Sequence, residues 1–317
     1  MRNLTLVFWI SLLLPGLAMG HTDHSPGIGS VNPGAWPQYL NDFRQFSRVA
    51  DLESAKKIAR AIGQKRMTNE QLYLAAQTAQ ADHRFNDALN FLDRLLVRSP
   101  NFDGARLMRA NTLITLGREE MALQDCNSLR SMPLSVILAC RLMSGGADGV
   151  YTKLVQVVEA ETPRLSTTLR AWVLATLGDY LLRQGEYDSA ADHFLGAYSL
   201  DQLVSYQISR VDAYLRNNRC KEALSTTSRF RHVLAMQVKH AIAGRQCAVP
   251  DHKLETVLAI LFEHDIEHED FSHGREMAEF HLFVADNVAL ARKILTQSLK
   301  NQRTFEDERL WLIANAQ

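Results

Sequence analysis

The chain has 317 residues, of which 46% are apolar and 22% charged, and its formal net charge is zero. That balance excludes a disordered chain. It also excludes a partner held mainly by a basic surface, such as nucleic acid, which would leave an excess of Lys and Arg.

Residues 1–20 have the layout of a secretory signal peptide. Arg2 is the charged start, and residues 4–14 form an apolar run short of the ~20 residues that a membrane span needs. Small residues then mark cleavage. Ala18-Met19-Gly20 would leave His21 first, and Gly16-Leu17-Ala18 would leave Met19 first. No cysteine follows the run, which argues against a lipoprotein. The segment predicts export to a bacterial periplasm, with no transmembrane span after cleavage. Residues 21–38 form a polar lead rich in Gly and Pro. His21 at a new amino terminus, with His24 nearby, offers an amine and an imidazole to copper, and a Met-Gly-His terminus would chelate copper or nickel. A polar tail with incidental histidines accounts for the same residues.

Residues 39–68 carry Leu40, Phe43, Phe46, Val49, Leu52, Ala55, Ile58 and Ile62 at spacings of three and four. This predicts one or two capping helices ahead of a repeat array. The array is organised around residues 171–202. Leu174, Leu177, Gly178 and Leu181 form the stripe of one helix. Gly185 ends it, because glycine takes the left-handed conformation without a side-chain penalty. Tyr187 covers the turn, and Ala190, Phe194 and Ala197 form the inner stripe of a second helix. The pattern recurs. Ala88, Ala122 and Ala190 lie one and two 34-residue periods apart. Around Ala122 stand Ala110, Leu113, Gly117, Cys126 and Leu129, with Pro133 after them. Around Ala88 stand Leu72, Ala76, Phe85, Leu92, Leu95 and Pro100. A weaker copy has Val211, Tyr214, Asn218 and Ala223, with Asn218 at the left-handed turn.

These residues resemble the tetratricopeptide repeat, a helix–turn–helix unit. Leu181 stands where the family has an aromatic residue and Gln202 where it has a closing proline. The resemblance implies an all-α, right-handed solenoid of repeats at 69–102, 103–136, 137–170 (degenerate), 171–203 and 204–233. Residues 234–317 are expected to hold divergent helical pairs and a cap. There, residues 231–244, a helix opened by Pro250-Asp251, residues 275–284, residues 288–299 and residues 305–316 read as helices. The helix after Asp251 is expected to bury Leu254, Val257, Leu258, Leu261 and Phe262. In this family the first helix of each unit lines a concave groove that holds a partner's peptide or helix. The matching positions here are Tyr73, Gln77, Leu107, Asn111, Trp172, Asp179, Arg183, Asp212 and Arg216, with Trp172, Arg183 and Arg216 as leading contacts. Some members clamp chaperone tails with Lys and Asn. Asn111 matches one such position, but the aligned units lack the lysine.

The four cysteines, Cys126, Cys140, Cys220 and Cys247, permit two disulfides in three connectivities. Neighbour-only contacts in a solenoid favour Cys126–Cys140 and Cys220–Cys247, and buried free thiols are the alternative. The string His264-Asp265-Ile266-Glu267-His268 fits H-x-x-E-H, in which two histidines on one helix face grip zinc and Glu267 activates water. Only residues 269–317 remain for the further carboxylate that the inverted zinc proteases use, and a solvated helix end fits the string as well. No other catalytic motif is present. The resulting expectation is a protein-binding scaffold of the bacterial envelope without catalysis or cofactor. Metal handling through His21 and His24, or His264 and His268, is the alternative, and a zinc hydrolase is a remote one.

Overall fold

A computed structural model describes residues 32–63, 66–146, 149–161 and 164–316. The signal-peptide reading and the His21 and His24 metal reading lie outside these residues. Among them the chain forms seventeen α-helices and no strand. The first eight are α1 (Trp36–Phe46), α2 (Val49–Ile62), α3 (Asn69–Ala81), α4 (Phe85–Arg98), α5 (Asp103–Thr115), α6 (Glu119–Asn127), α7 (Leu134–Met143) and α8 (Val150–Glu161). Then follow α9 (Thr167–Gln184), α10 (Tyr187–Leu200), α11 (Val204–Arg216), α12 (Cys220–Thr227) and α13 (Leu234–Gln246). The last four are α14 (His252–Glu267), α15 (Gly274–Phe283), α16 (Val288–Ser298) and α17 (Phe305–Ala316).

The helices start where side chains can satisfy their free N–H groups. Thr68 and Gln71 form a reciprocal capping box at α3. Ser166 caps α9 by accepting from the Leu169 N–H, so that helix begins at Thr167, ahead of the expected start of its unit. Asp251 caps α14 in the same way.

The turns between paired helices share one device. His83, Gly117, Gly145, Gly185, Asn218 and Ala248 all have positive φ, as do Glu269 and Asp286 near the C-terminus. After each, the next backbone N–H returns to the last turn of the preceding helix. Glu186 donates to the Leu181 carbonyl at 2.9 Å, Arg219 to Tyr214 at 2.8 Å and Val249 to Gly244 at 2.8 Å. This is the left-handed cap that ends a helix and reverses the chain. The same turn recurs past residue 233, where the side-chain signature fades.

Within the central unit the two helices touch at Gly178. A Cβ built there would stand 2.9 Å from the Phe194 ring. Ala190, Phe194 and Ala197 are fully buried on the facing stripe. Alternate helices also stack on one another in the series α5–α7–α9–α11–α13–α15–α17, with α1 on α3. The architecture is an all-α repeat solenoid. Helix α1 also reaches α11, far along the array, so the superhelix curls back on its own amino-terminal end. Two expected core positions are corrected. Phe46 is exposed and lies beneath the Arg48 guanidinium, and Val257 is exposed because α14 packs mainly through Leu258 and Phe262.

Disulfides join Cys126 to Cys140 and Cys220 to Cys247, and no cysteine is free. The first links α6 to α7 and the second links the start of α12 to the end of α13. Each bridge thus ties one unit to the next.

Candidate functional site: a mixed-charge cavity on the concave face

The stacked helices α5, α9 and α11 bring a set of polar side chains onto the concave face. The expected open groove is occupied at both ends by the chain itself. At the amino-terminal end α1 lies in it. The Trp36 indole N–H donates to the Thr78 hydroxyl at 2.9 Å. Arg44, 4% exposed, sits among Asp201, Tyr206 and Tyr73. Five of the residues expected on an open face are buried: Tyr73, Gln77, Leu107, Asn111 and Trp172, the last 1% exposed. The exposed aromatic contacts expected at Tyr73 and Trp172 are corrected accordingly. Tyr73 packs against Phe102 instead, with ring centroids 5.2 Å apart.

At the other end the loop before α17 folds across α5, α9 and α11. The Arg303 N–H donates to the Thr115 carbonyl at 2.8 Å. The aliphatic part of Arg303 passes close over Gly117, where a Cβ would meet its Cδ at 3.2 Å. Phe305 lies beneath the Arg183 guanidinium, and Glu306 pairs with Arg216 and Arg309. Asp307, fully buried, anchors this turn by accepting from Arg275, Gln302 and Thr304.

Between this turn and the inner helices remains a cavity of about 330 Å³. Its floor holds Asn111, Ile114, Thr115, Leu182, Ser205, Ile208 and Ser209, all buried. Its mouth holds exposed Glu119, Arg303, Phe305 and Glu308. Asp179, Arg183 and Asp212 stand between floor and mouth. Of the nine expected groove residues, Asn111, Asp179, Arg183 and Asp212 line this cavity, and Arg216 holds its wall through Glu306.

The charges are not equally satisfied. Asp212 receives the Lys239 ammonium at 2.5 Å, and the same ammonium reaches both Glu279 oxygens at 3.0 Å. Burial disfavours the Lys239 charge, but Asp212 and Glu279 hold its pKa above the ordinary lysine value. Burial likewise opposes ionisation of Glu306, yet Arg216 and Arg309 hold its carboxyl down to about 2. Asp179 has no such partner. Burial pushes its carboxyl up to about 7, against the pull of Arg183 and Arg216. Among the described residues neither Asp179 nor Arg183 is within ion-pair distance of a partner, and the Arg183 guanidinium lies over the Phe305 ring.

No repeat position in the sequence marks Lys239, Glu279, Arg275, Arg303, Glu306 or Asp307. All lie beyond residue 233, where the repeat signature that assigned the concave face is lost. The available signal was Lys239 itself, a lone lysine inside the apolar run of α13.

The H-x-x-E-H string is on the surface. His264 and His268 stack with ring centroids 4.1 Å apart, and the His264 side chain is 65% exposed. Among the described residues no group of three or more His, Cys, Asp or Glu side chains is arranged to hold a metal ion. No described helix is long and apolar enough to cross a membrane.

No protein-family model matches the chain, and no curated protein matches it in sequence. Solved structures do match in shape. A chain of the APC/C hetero-tetramer Cut9–Hcn1 is 14% identical, with 90% of this chain and 50% of that chain covered and a TM-score of 0.40. The protein thus spans half the length of that chain. The apo form of RapI is 13% identical over 87% of this chain and 98% of its own, with a TM-score of 0.43. A tetratricopeptide repeat protein from Parabacteroides merdae is 12% identical over 89% of this chain and 99% of its own, with a TM-score of 0.36.

Proposed function

We propose that the protein is a non-catalytic interaction scaffold exported to the bacterial periplasm, and that it engages a partner of the envelope at the mouth of the concave cavity. The observation that carries this reading is the unsatisfied pair Asp179 and Arg183, set beside an exposed aromatic, Phe305, in the part of the groove the chain leaves open. Arginine and aromatic side chains are among the residues that most often anchor a protein partner. Export is supported by the layout of residues 1–20 and by the pairing of all four cysteines, which suits an oxidising compartment. The groove is too filled by α1 and the 302–309 turn to take a long helix, so a short segment of the partner is the fitting ligand.

The test is affinity capture of the tagged, exported protein from its own cell envelope, with wild type compared against an Arg183→Ala/Phe305→Ala double variant. A stoichiometric protein that co-purifies with wild type and is lost from the folded variant supports the reading. Equal capture by both moves the interface elsewhere, and capture of nothing by wild type removes the scaffold role.

A further inference from the structure

We propose that the concave cavity is a binding site for a free α-amino acid with an apolar side chain, whose ammonium group meets Asp179 and whose carboxylate meets Arg183. This goes beyond the scaffold reading and does not depend on it, since a free amino acid and a protein partner are detected by separate measurements.

The spacing of the two side chains sets the chemistry. Asp179 and Arg183 are one helical turn apart on α9, so their Cβ atoms are about 5–6 Å from each other on one face. Both line the cavity, and neither is ion-paired among the described residues. An α-amino acid carries its ammonium and carboxylate on the same carbon, so one small ligand offers a counter-charge to each of two side chains one helical turn apart. A simple anion would use Arg183 and make no use of Asp179. A simple cation would use Asp179 and make no use of Arg183.

The other charges of the cavity are committed except Glu119 at the exposed mouth; Arg303 there pairs with Glu308. Asp212 is held by Lys239, Glu306 by Arg216 and Arg309, and Arg275 by Asp307. The remaining lining is apolar on one side, from Ile114, Met143, Leu182 and Ile208. That wall suits an aliphatic side chain. The volume, about 330 Å³, lies at the small end of ligand pockets and leaves room for one medium amino acid and ordered water.

The Asp179 carboxyl gives a second handle. It faces Arg183 on its own helix, Arg216 and Asp212 on α11, and Glu306 in the first turn of α17. With its pKa pushed up by burial, the unliganded carboxyl is partly protonated near neutrality. An incoming ammonium group needs it ionised, so binding should weaken as the pH is lowered.

The experiment is isothermal titration of the full mature chain with L-leucine at pH 8 and pH 6, with leucinamide and N-acetyl-L-leucine as controls that each lack one charge. Leucine is expected to bind with a sub-millimolar Kd at pH 8 and at least threefold more weakly at pH 6. Each control is expected to lose tenfold or more. Asp179→Asn and Arg183→Gln should each lose tenfold or more while keeping the wild-type circular dichroism. Neither side chain carries a structural ion pair, so both variants should fold. Absence of leucine binding to folded wild type overturns the proposal. Binding of leucinamide or N-acetyl-leucine as tight as leucine overturns it too, as does unchanged affinity in either variant.

Discussion

The backbone N–H of Arg303 donates to the carbonyl of Thr115 at 2.8 Å, across a sequence distance that spans most of the repeat array. Thr115 is the last residue of α5, where the carbonyls of a helix end lack intrahelical partners. The C-terminal turn satisfies one of them and becomes a wall of the concave face. The groove of a solenoid is thereby reduced to a cavity.

That wall depends on Glu306. Its carboxylate serves both Arg216 and Arg309, and all three side chains are at least two-thirds covered. Removing one partner of a buried pair leaves an uncompensated charge, at a cost of about 3–5 kcal/mol. Glu306→Ala is therefore expected to lower stability by roughly that amount in urea titration. Hydrogen exchange should rise at residues 302–309 and at the end of α5 before it rises elsewhere. Unchanged exchange there would detach Glu306 from the closure.

Lys239 holds Asp212 and Glu279 together from α13, and its side chain is 3% exposed. Lys239→Met should destabilise the protein by several kcal/mol, about 3–5, because two carboxylates lose their counter-ion. Adding Glu279→Gln should recover part of the loss. A double variant no better than Lys239→Met would show that repulsion between the two acids is not the cause.

Asp179 and Glu306 contribute to the pH dependence with opposite sign. Asp179 has a folded pKa raised from 3.8 to about 7, so the folded state binds more protons than the unfolded state between those values. Its contribution to stability grows as pH falls from above 7 towards 4. Glu306 is depressed from 4.5 to about 2, and the stability it provides is lost as pH falls through that range. The sum of these two contributions is largest at mildly acid pH, between the two ranges. Asp179→Asn should raise the Tm at pH 8 and leave it nearly unchanged at pH 4. An equal change at both pH values would contradict the raised pKa.

Gly178 tests the helix contact that defines the central repeat. Gly178→Ala places a Cβ 2.9 Å from the Phe194 ring, an overpacking that costs about 1–3 kcal/mol. Phe194→Leu in the same chain should relieve part of the clash despite the volume it removes from the core. Thermal melts of the two single variants and the double variant measure this coupling.

The repeat architecture was legible because it rests on local signals. The apolar stripes around Ala88, Ala122 and Ala190, together with left-handed turns at Gly117, Gly185 and Asn218, specify helix pairs within one unit. The state of the groove was not legible, because it is set by contacts between segments far apart in sequence. Nothing near Tyr73 announces that Arg44 will pack against it, and nothing near Thr115 announces Arg303. Trp172 illustrates the limit. Its position in the unit marks the inner helix correctly, but the curl of the superhelix decides whether that face meets solvent. Asp179, Arg183 and Asp212 reached the cavity because their positions on α9 and α11 face the one stretch that neither α1 nor the C-terminal turn fills.

The central claim is that binding occurs at the concave cavity under the C-terminal turn. Hydrogen–deuterium exchange of the protein alone and in complex with the partner captured from the envelope tests it most directly. The account predicts new protection at the C-terminal halves of α9 and α11 and across residues 302–309. Protection confined to α10, α12 or α14, with the cavity segments unchanged, would contradict it.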